Sequence, residues 1–166
     1  MKKKVILIDV LNVLYRAYYG LPEMKNDSGV PTNALFGFTK TCIKLIKNFS
    51  PCVLYAFVDS NGSRKRSEIY PEYKAQRKAP TEDFLIQKQL TLEFLSTVKI
   101  PTIIEDGYEA DDLLVSFVNY CAINNPEYEY IIISSDKDAH FLLFHPNVTI
   151  YDPLKDKILD KTWLEE

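Results

Sequence analysis

The sequence has few of the features that mark secreted, zinc-binding or membrane-spanning proteins. Its three cysteines are an odd number, stand among apolar residues and show no C-x-x-C spacing, so they indicate neither a disulfide framework nor a zinc site. No apolar run approaches the length of about 18 residues that a membrane span needs. The lysine-rich start, Met1 to Lys4, precedes a predicted strand and not a signal-peptide core. We therefore expect a cytoplasmic protein with no membrane association.

Internal repeats and low-complexity stretches are also absent from the sequence. The 166 residues are 46% hydrophobic and 13% aromatic, which excludes a disordered chain and allows a sizeable core. We predict a single domain over residues 1–166 that behaves as a monomer.

The net charge of −3 does not by itself support binding to nucleic acid, but the charge is unevenly distributed. Residues 64–78 hold six basic and two acidic side chains, a local net charge of +4, interleaved with Tyr70 and Tyr73. Such cations can neutralise phosphates and such tyrosines can stack on unpaired bases. The alternative for a charge run of this kind is a solvated helix face.

Apolar runs of strand length alternate with segments of helical periodicity. This alternation predicts an α/β fold with a mostly parallel, twisted sheet covered by helices on both faces. Predicted strands are 4–9, 52–58, 101–104, 129–134 and 148–151, and predicted helices are 11–19, 32–49, 82–98, 109–124 and a short 137–143. Thr32 is the expected N-cap of the second helix. A further strand and helix can begin within 158–166, and residues 60–81 form an irregular basic stretch.

Acidic residues stand at the ends of four successive predicted strands. In a parallel sheet these ends share one edge, where α/β folds bind ligands. The seven carboxylates concerned are Asp9, Asp59, Glu109, Asp111, Asp112, Asp136 and Asp138.

Each of these acids alone also fits a structural role, because aspartate commonly caps helices, favours the first helical turn and begins turns. Together they exceed what capping requires. Like charges packed into one cleft need compensating cations, and hard oxygen ligands at this density suit Mg²⁺ or Mn²⁺. Two ions about 4 Å apart can activate water and stabilise a leaving oxygen, so the sequence predicts a two-ion site for phosphate chemistry.

Six motifs, in order along nearly the whole chain, resemble the 5′-nuclease domain of bacterial DNA polymerase I, a branch of the flap endonuclease family. The motifs are Leu7-Ile8-Asp9 with residues 14–18; residues 31–37; Phe57-Val58-Asp59; residues 66–77, read as R-x-E-x-x-x-x-Y-K-x-x-R; residues 107–112, read as G-Y-E-A-D-D; and residues 135–138, read as S-D-K-D.

The resemblance implies a resolvase-like (PIN-like) fold that cleaves phosphodiesters near DNA 5′ ends and at 5′ flaps. It implies that the seven carboxylates hold metal, with Asp59, Glu109 and Asp111 on the first ion, Asp9 bridging or nearby, and Asp136 and Asp138 on the second. Catalysis is then expected to depend on Asp111. DNA contacts are expected at Arg16 and in a helical arch over residues 60–81, where the residues concerned are Arg66, Tyr73, Lys74 and Arg77. Lys74 and Arg77 are expected close to the scissile phosphate.

The sequence departs from the family pattern in two places. Val10, Leu11 and Asn12 follow Asp9 where small residues are usual, and Ser135 stands in place of a usual glycine. Neither departure removes a metal ligand. The resemblance also implies a helix–three-turn–helix DNA-binding region beyond residue 166, and it is compatible with a polymerase region further along the native chain.

Two other interpretations stay open from the sequence. A PIN-like ribonuclease uses the same carboxylate scaffold, although the motif of residues 66–77 argues against it. A catalytically silent DNA-binding module is the second alternative, because the helix–three-turn–helix region lies outside these residues.

Overall fold

The computed structural model describes residues 3–60, 68–72, 76, 78–153 and 155–164. Its strands are β1 Lys3–Asp9, β2 Cys52–Phe57, β3 Thr102–Ile103, β4 Tyr128–Ile133, β5 Val148–Asp152 and β6 Lys157–Leu159. Its α-helices are α1 Val10–Gly20, α2 Asn33–Phe49, α3 Glu82–Thr97 and α4 Ala110–Asn124, and two 3₁₀ helices span Lys137–Phe144 and Lys161–Leu164. None of the helices in these ranges is long and apolar enough to cross a membrane.

The strands form one sheet in the order β3-β2-β1-β4-β5-β6. Every pairing is parallel except that of β6, which runs antiparallel to β5. The mostly parallel α/β fold predicted from the sequence is confirmed. Because β1 to β4 are parallel, their carboxyl ends lie at one edge of the sheet.

Alternate residues of β1 divide the core into two layers. Ile6 and Ile8 pack in a cluster with side chains of α1, α2 and α3, whereas Val5 and Leu7 pack in a second cluster with α4 and the first 3₁₀ helix. All four side chains are buried. Because successive strand residues point to opposite faces, an unbroken apolar run predicts a strand covered on both sides, as observed.

The start of α2 is stabilised by a side chain from α3. Thr32 occupies the predicted N-cap position, but its side chain makes no capping hydrogen bond within the described residues. Instead, Oε1 of the fully buried Gln87 accepts hydrogen bonds from the N–H groups of Ala34 (2.6 Å) and Leu35 (3.3 Å). The Nε2 atom of Gln87 donates to Asn33 Oδ1 at 3.0 Å. The predicted N-cap position is therefore confirmed, but the amide of Gln87 and not the threonine side chain satisfies the helix start.

Helices α1 and α2 approach closely at Gly37. A Cβ atom built on Gly37 would lie 2.6 Å from Cβ of Ala17, which is too short for two carbon atoms. The small residue thus sets the separation of the two helices. The segment 137–143, predicted as a short helix, is a 3₁₀ helix and not an α-helix.

Candidate metal centre

Four strand ends bring acidic residues to one edge of the sheet. Asp9 is the last residue of β1, and Asp59 follows β2. Glu109 is the N-cap of α4, which comes after β3, and Asp136 is the N-cap of the 3₁₀ helix that follows β4. The predicted convergence of these strand ends is confirmed by the parallel pairing of β1 with both β2 and β4.

A cleft of about 530 Å³ opens at this edge, and five of the seven predicted ligands line it. The five are Asp9, Asp111, Asp112, Asp136 and Asp138. None of the described residues that line the cleft is a lysine, an arginine or a histidine. A cleft with this many carboxylates and no basic residue among its described lining has a strongly negative potential and attracts cations.

Glu109, Asp111 and Asp112 form a tight group of acids. One carboxylate oxygen from each lies within 4.8 Å of the others, close enough for one ion to contact all three. Glu109 is buried, whereas Asp111 is exposed to the cleft. The start of α4 fixes the group, because Asp112 Oδ2 accepts a hydrogen bond from the N–H of Glu109 at 3.2 Å.

Asp59 joins β2 to the start of α4. Its Oδ1 accepts a hydrogen bond of 2.5 Å from the N–H of Ala110. The next residue, Ser60, is buried; its hydroxyl donates to the carbonyl of Tyr108 and accepts from the N–H of Gly107, both at 3.1 Å. Gly107 has φ 81°, a conformation that favours glycine, which explains the glycine of the G-Y-E-A-D-D motif. The role of Ser60 was missed, because a lone serine in a loop carries no sequence signal.

The pKa of Asp9 is raised to about 6. Burial is the largest cause, and the negative charges of Asp59, Asp111 and Asp136 raise the pKa further, while a hydrogen bond from the N–H of Asn12 opposes the rise. The charged form of Asp9 is therefore disfavoured by both its surroundings and its neighbours. A bound cation would reverse the effect of the neighbours and restore the charged carboxylate.

The structural role that each acid alone fits is observed at three of them. Asp9, Asp59 and Asp136 each accept a backbone hydrogen bond through Oδ1, from Asn12, Ala110 and Asp138 respectively. A carboxylate has two oxygens with several lone pairs, so a capping bond on one oxygen is compatible with an ion on the other. The capping hydrogen bonds orient the carboxylates. The carboxylate oxygens at this edge of the sheet are suitable ligands for a hard divalent cation.

The two departures from the family pattern contact each other. Ser135 Oγ donates a hydrogen bond to Asn12 Oδ1 at 3.1 Å, which joins the end of β4 to the start of α1. Ser134, also missed in the sequence, is buried and its Oγ accepts from the N–H of Asp136 at 3.0 Å. These bonds fix the positions of two neighbouring strand ends.

Of the predicted DNA-contacting residues, the structure describes Arg16, and this residue is not brought together with the carboxylates of the cleft. Arg16 does not line the acidic cleft; its Nη1 lies 3.3 Å from Oδ1 of the buried Asp152, at the end of β5. Asp152 was missed because only four strand ends were considered. The predicted arch residues Arg66, Tyr73, Lys74 and Arg77 lie outside the described residues.

Residues 4–166 match the family model described as the 5′-3′ exonuclease, N-terminal resolvase-like domain. The chain belongs to the 5′-3′ exonuclease family. Its resemblance to this family, predicted from six motifs, is confirmed.

Curated relatives cover most of the chain but are much longer. A DNA polymerase I of Caldicellulosiruptor bescii is 35% identical over 140 residues, which are 84% of this chain and 16% of the relative. A 5′-3′ exonuclease of Aquifex aeolicus is 31% identical over 159 residues, 96% of this chain and 54% of the relative. The chain thus spans about half the length of one exonuclease relative and about a sixth of a polymerase relative.

Solved structures share the fold. The T5 D15 protein, co-crystallised with metal ions, superimposes with a TM-score of 0.65 at 20% identity and covers 95% of this chain and 58% of that one. This likeness supports the resolvase-like α/β architecture of the exonuclease domain.

Proposed function

We propose that this exonuclease-family domain hydrolyses DNA phosphodiesters at 5′ ends and 5′ flaps with the help of divalent metal ions. The observation that carries the proposal is the acidic cleft at the carboxyl edge of the sheet. Five carboxylates line this cleft, and none of its described lining residues is basic. Family membership and the 5′-3′ exonuclease relative support the choice of reaction.

The carboxylates of this edge fit Mg²⁺ or Mn²⁺, and we propose two ions. Glu109, Asp111 and Asp112 are close enough to share one ion, and Asp59 is tied to the same helix start. Asp136 and Asp138 lie on the other side, on the 3₁₀ helix, and begin a second site. Bound ions supply charge stabilisation and activated water. A zinc-bound T5 5′-exonuclease structure is in keeping with a metal site in this fold.

The protein's own contribution to this chemistry is orientation. Backbone N–H groups hold Asp9, Asp59 and Asp136 in place, so the ligands need little rearrangement when an ion binds. Asp9 is partly buried where it lines the cleft, and the lower effective dielectric constant there strengthens electrostatic interactions.

We also propose that residues 60–81 receive the 5′ strand, with Arg66 and Tyr73 contacting DNA and Lys74 and Arg77 close to the scissile phosphate. This part of the proposal rests on the sequence motif and its net positive charge. Arg16 is proposed as a further phosphate contact, held by its ion pair with Asp152.

Asp111→Asn tests the proposal, because it keeps the size of a cleft-lining ligand and removes its charge. We expect incision of a labelled 5′-flap DNA to fall by orders of magnitude, while DNA affinity stays equal or rises as phosphate repulsion decreases. The measurement is single-turnover cleavage beside equilibrium binding in Ca²⁺, with a flap of the same sequence in RNA as the test of a ribonuclease.

Asp106→Asn is the matched control, since Asp106 is exposed and lies outside both the acid group and the cleft lining. It should leave incision nearly unchanged. Equal losses of binding and rate in Asp111→Asn, or equal losses in the two variants, would contradict the role assigned to the cleft. Where the native protein continues beyond residue 166, the same variants are compared in that longer chain.

A further inference from the structure

A second cleft, of about 360 Å³, lies next to the acidic one and has the opposite charge. Ser134 lines both clefts, so they adjoin at the end of β4. The basic and aromatic residues that line the second cleft are Lys137, His140, Lys155, Lys157 and Trp163. They come from the first 3₁₀ helix, from the β5–β6 hairpin and from the second 3₁₀ helix.

The S-D-K-D motif divides its side chains between the two clefts. Asp136 and Asp138 line the acidic cleft, whereas Lys137 between them lines the basic one. One short segment therefore places a cation next to the proposed metal centre without placing it inside.

Trp163 gives the basic cleft an aromatic wall. The His140 ring contacts Trp163 edge-on with 4.8 Å between ring centroids, and Lys157 Nζ lies 5.9 Å from the centroid of the indole. Trp163 is half-buried and lines the cleft. A cation beside an aromatic ring in a cleft can bind a nucleotide, because the cation contacts the phosphate and the ring stacks on the base.

One buried acid in the basic cleft is already neutralised. Asp152 Oδ1 pairs with Arg16 at 3.3 Å, and Oδ2 lies 4.0 Å from Nζ of Lys155, whose side chain is 77% exposed. Lys137 and Lys157 have no ion pair with another described residue. The lysines of the cleft thus retain a net positive charge that an anion can neutralise.

We infer that this basic cleft is a second nucleotide subsite, which binds a phosphodiester and an unpaired base of single-stranded DNA next to the phosphate at the acidic edge. The inference rests on the proposed nuclease function in taking DNA as its ligand. Adjacency through Ser134 lets one strand occupy both clefts. The cleft volume lies within the range of small-ligand pockets, roughly 300–1,000 Å³.

Trp163 is the single tryptophan of the chain, so its fluorescence reports on this cleft alone. We expect a short oligothymidylate, titrated in EDTA at low salt, to change Trp163 emission saturably. Inorganic phosphate at the same ionic strength should not, because it offers no base to stack. Binding isotherms at several salt concentrations then give the number of phosphates neutralised.

Lys155→Ala combined with Lys157→Ala removes two cations of the cleft. The slope of log affinity against log salt should become shallower by about 0.7, the value for one phosphate contact on a single strand, because the subsite holds one phosphodiester. Lys47→Ala combined with Lys99→Ala removes two exposed lysines that lie near the amino ends of β2 and β3, far from the carboxyl edge. That control should keep the wild-type slope.

An unchanged Trp163 emission at saturating DNA would overturn the subsite, and so would equal salt slopes in the two double variants. Flap incision measured on the same preparations in Mg²⁺ separates this inference from the proposed function. Incision without a Trp163 response refutes the subsite and leaves the nuclease standing, whereas a Trp163 response without incision supports the subsite and counts against the nuclease.

Discussion

At the scale of single residues, the raised pKa of Asp9 makes a prediction about metal-free protein. The carboxyl group of Asp9 holds its proton more tightly in the folded state than in the unfolded chain, where its pKa is 3.8. The free energy of unfolding therefore falls as the pH rises from about 4 through about 6. Asp9→Asn removes this cost while keeping an oxygen for the N–H of Asn12. We expect the variant to be more stable than wild type at pH 7 to 8 in EDTA, by at most about 3 kcal/mol.

The measurement is thermal unfolding in EDTA between pH 4 and pH 8. The two proteins should unfold at similar temperatures near pH 4 and separate as pH rises. Asp27→Asn, at an exposed loop position, is the control and should follow wild type throughout. A variant that is less stable than wild type at every pH would contradict the electrostatic cost assigned to the Asp9 carboxylate.

At the scale of secondary-structure elements, Gln87 joins α3 to the start of α2. Gln87→Ala leaves the N–H of Ala34 and the side chain of Asn33 without their buried partner. We expect a loss of about 2–3 kcal/mol of unfolding free energy, because an unsatisfied buried polar group adds its desolvation cost to the lost hydrogen bond. Chemical denaturation measures the loss.

Gln89→Ala is the matched control on the same helix. Gln89 is exposed and bonds only Glu93 among the described residues, so its replacement should change stability by less than about 0.5 kcal/mol. Similar effects of the two substitutions would show that the buried amide network contributes little to holding α2.

The predicted helical arch, residues 60–81, gives a prediction at the same scale. Lys74→Ala and Arg77→Ala should slow flap cleavage strongly if these cations align the scissile phosphate and offset its developing charge. Arg64→Ala and Lys65→Ala lie outside the matched motif and should mainly lower affinity and the salt dependence of binding. Proportional weakening of binding by all four, with no separate effect on rate, would reduce the segment to a generic basic patch.

At the scale of the whole molecule, periodicity was enough to predict the sheet and the edge that carries the site. Runs such as Val5 to Ile8 predict strands covered on both faces, and parallel strands must share a carboxyl edge, so the convergence of Asp9, Asp59 and Asp136 followed from the sequence. Contacts between distant residues did not follow from it. Gln87 capping α2, and Asp152 pairing with Arg16 across 136 positions, depend on packing that no local pattern encodes.

The claim central to this account is that the carboxyl edge binds divalent cations, and a thermal scan with Mn²⁺ at constant ionic strength tests it most directly. An ion that binds only the folded state raises the unfolding temperature increasingly with concentration, and relief of carboxylate repulsion adds to the effect. We predict a clear rise for wild type and for Asp106→Asn, and a much smaller one for Asp111→Asn. No shift of wild type at millimolar Mn²⁺, or the same shift in Asp111→Asn, would contradict the account.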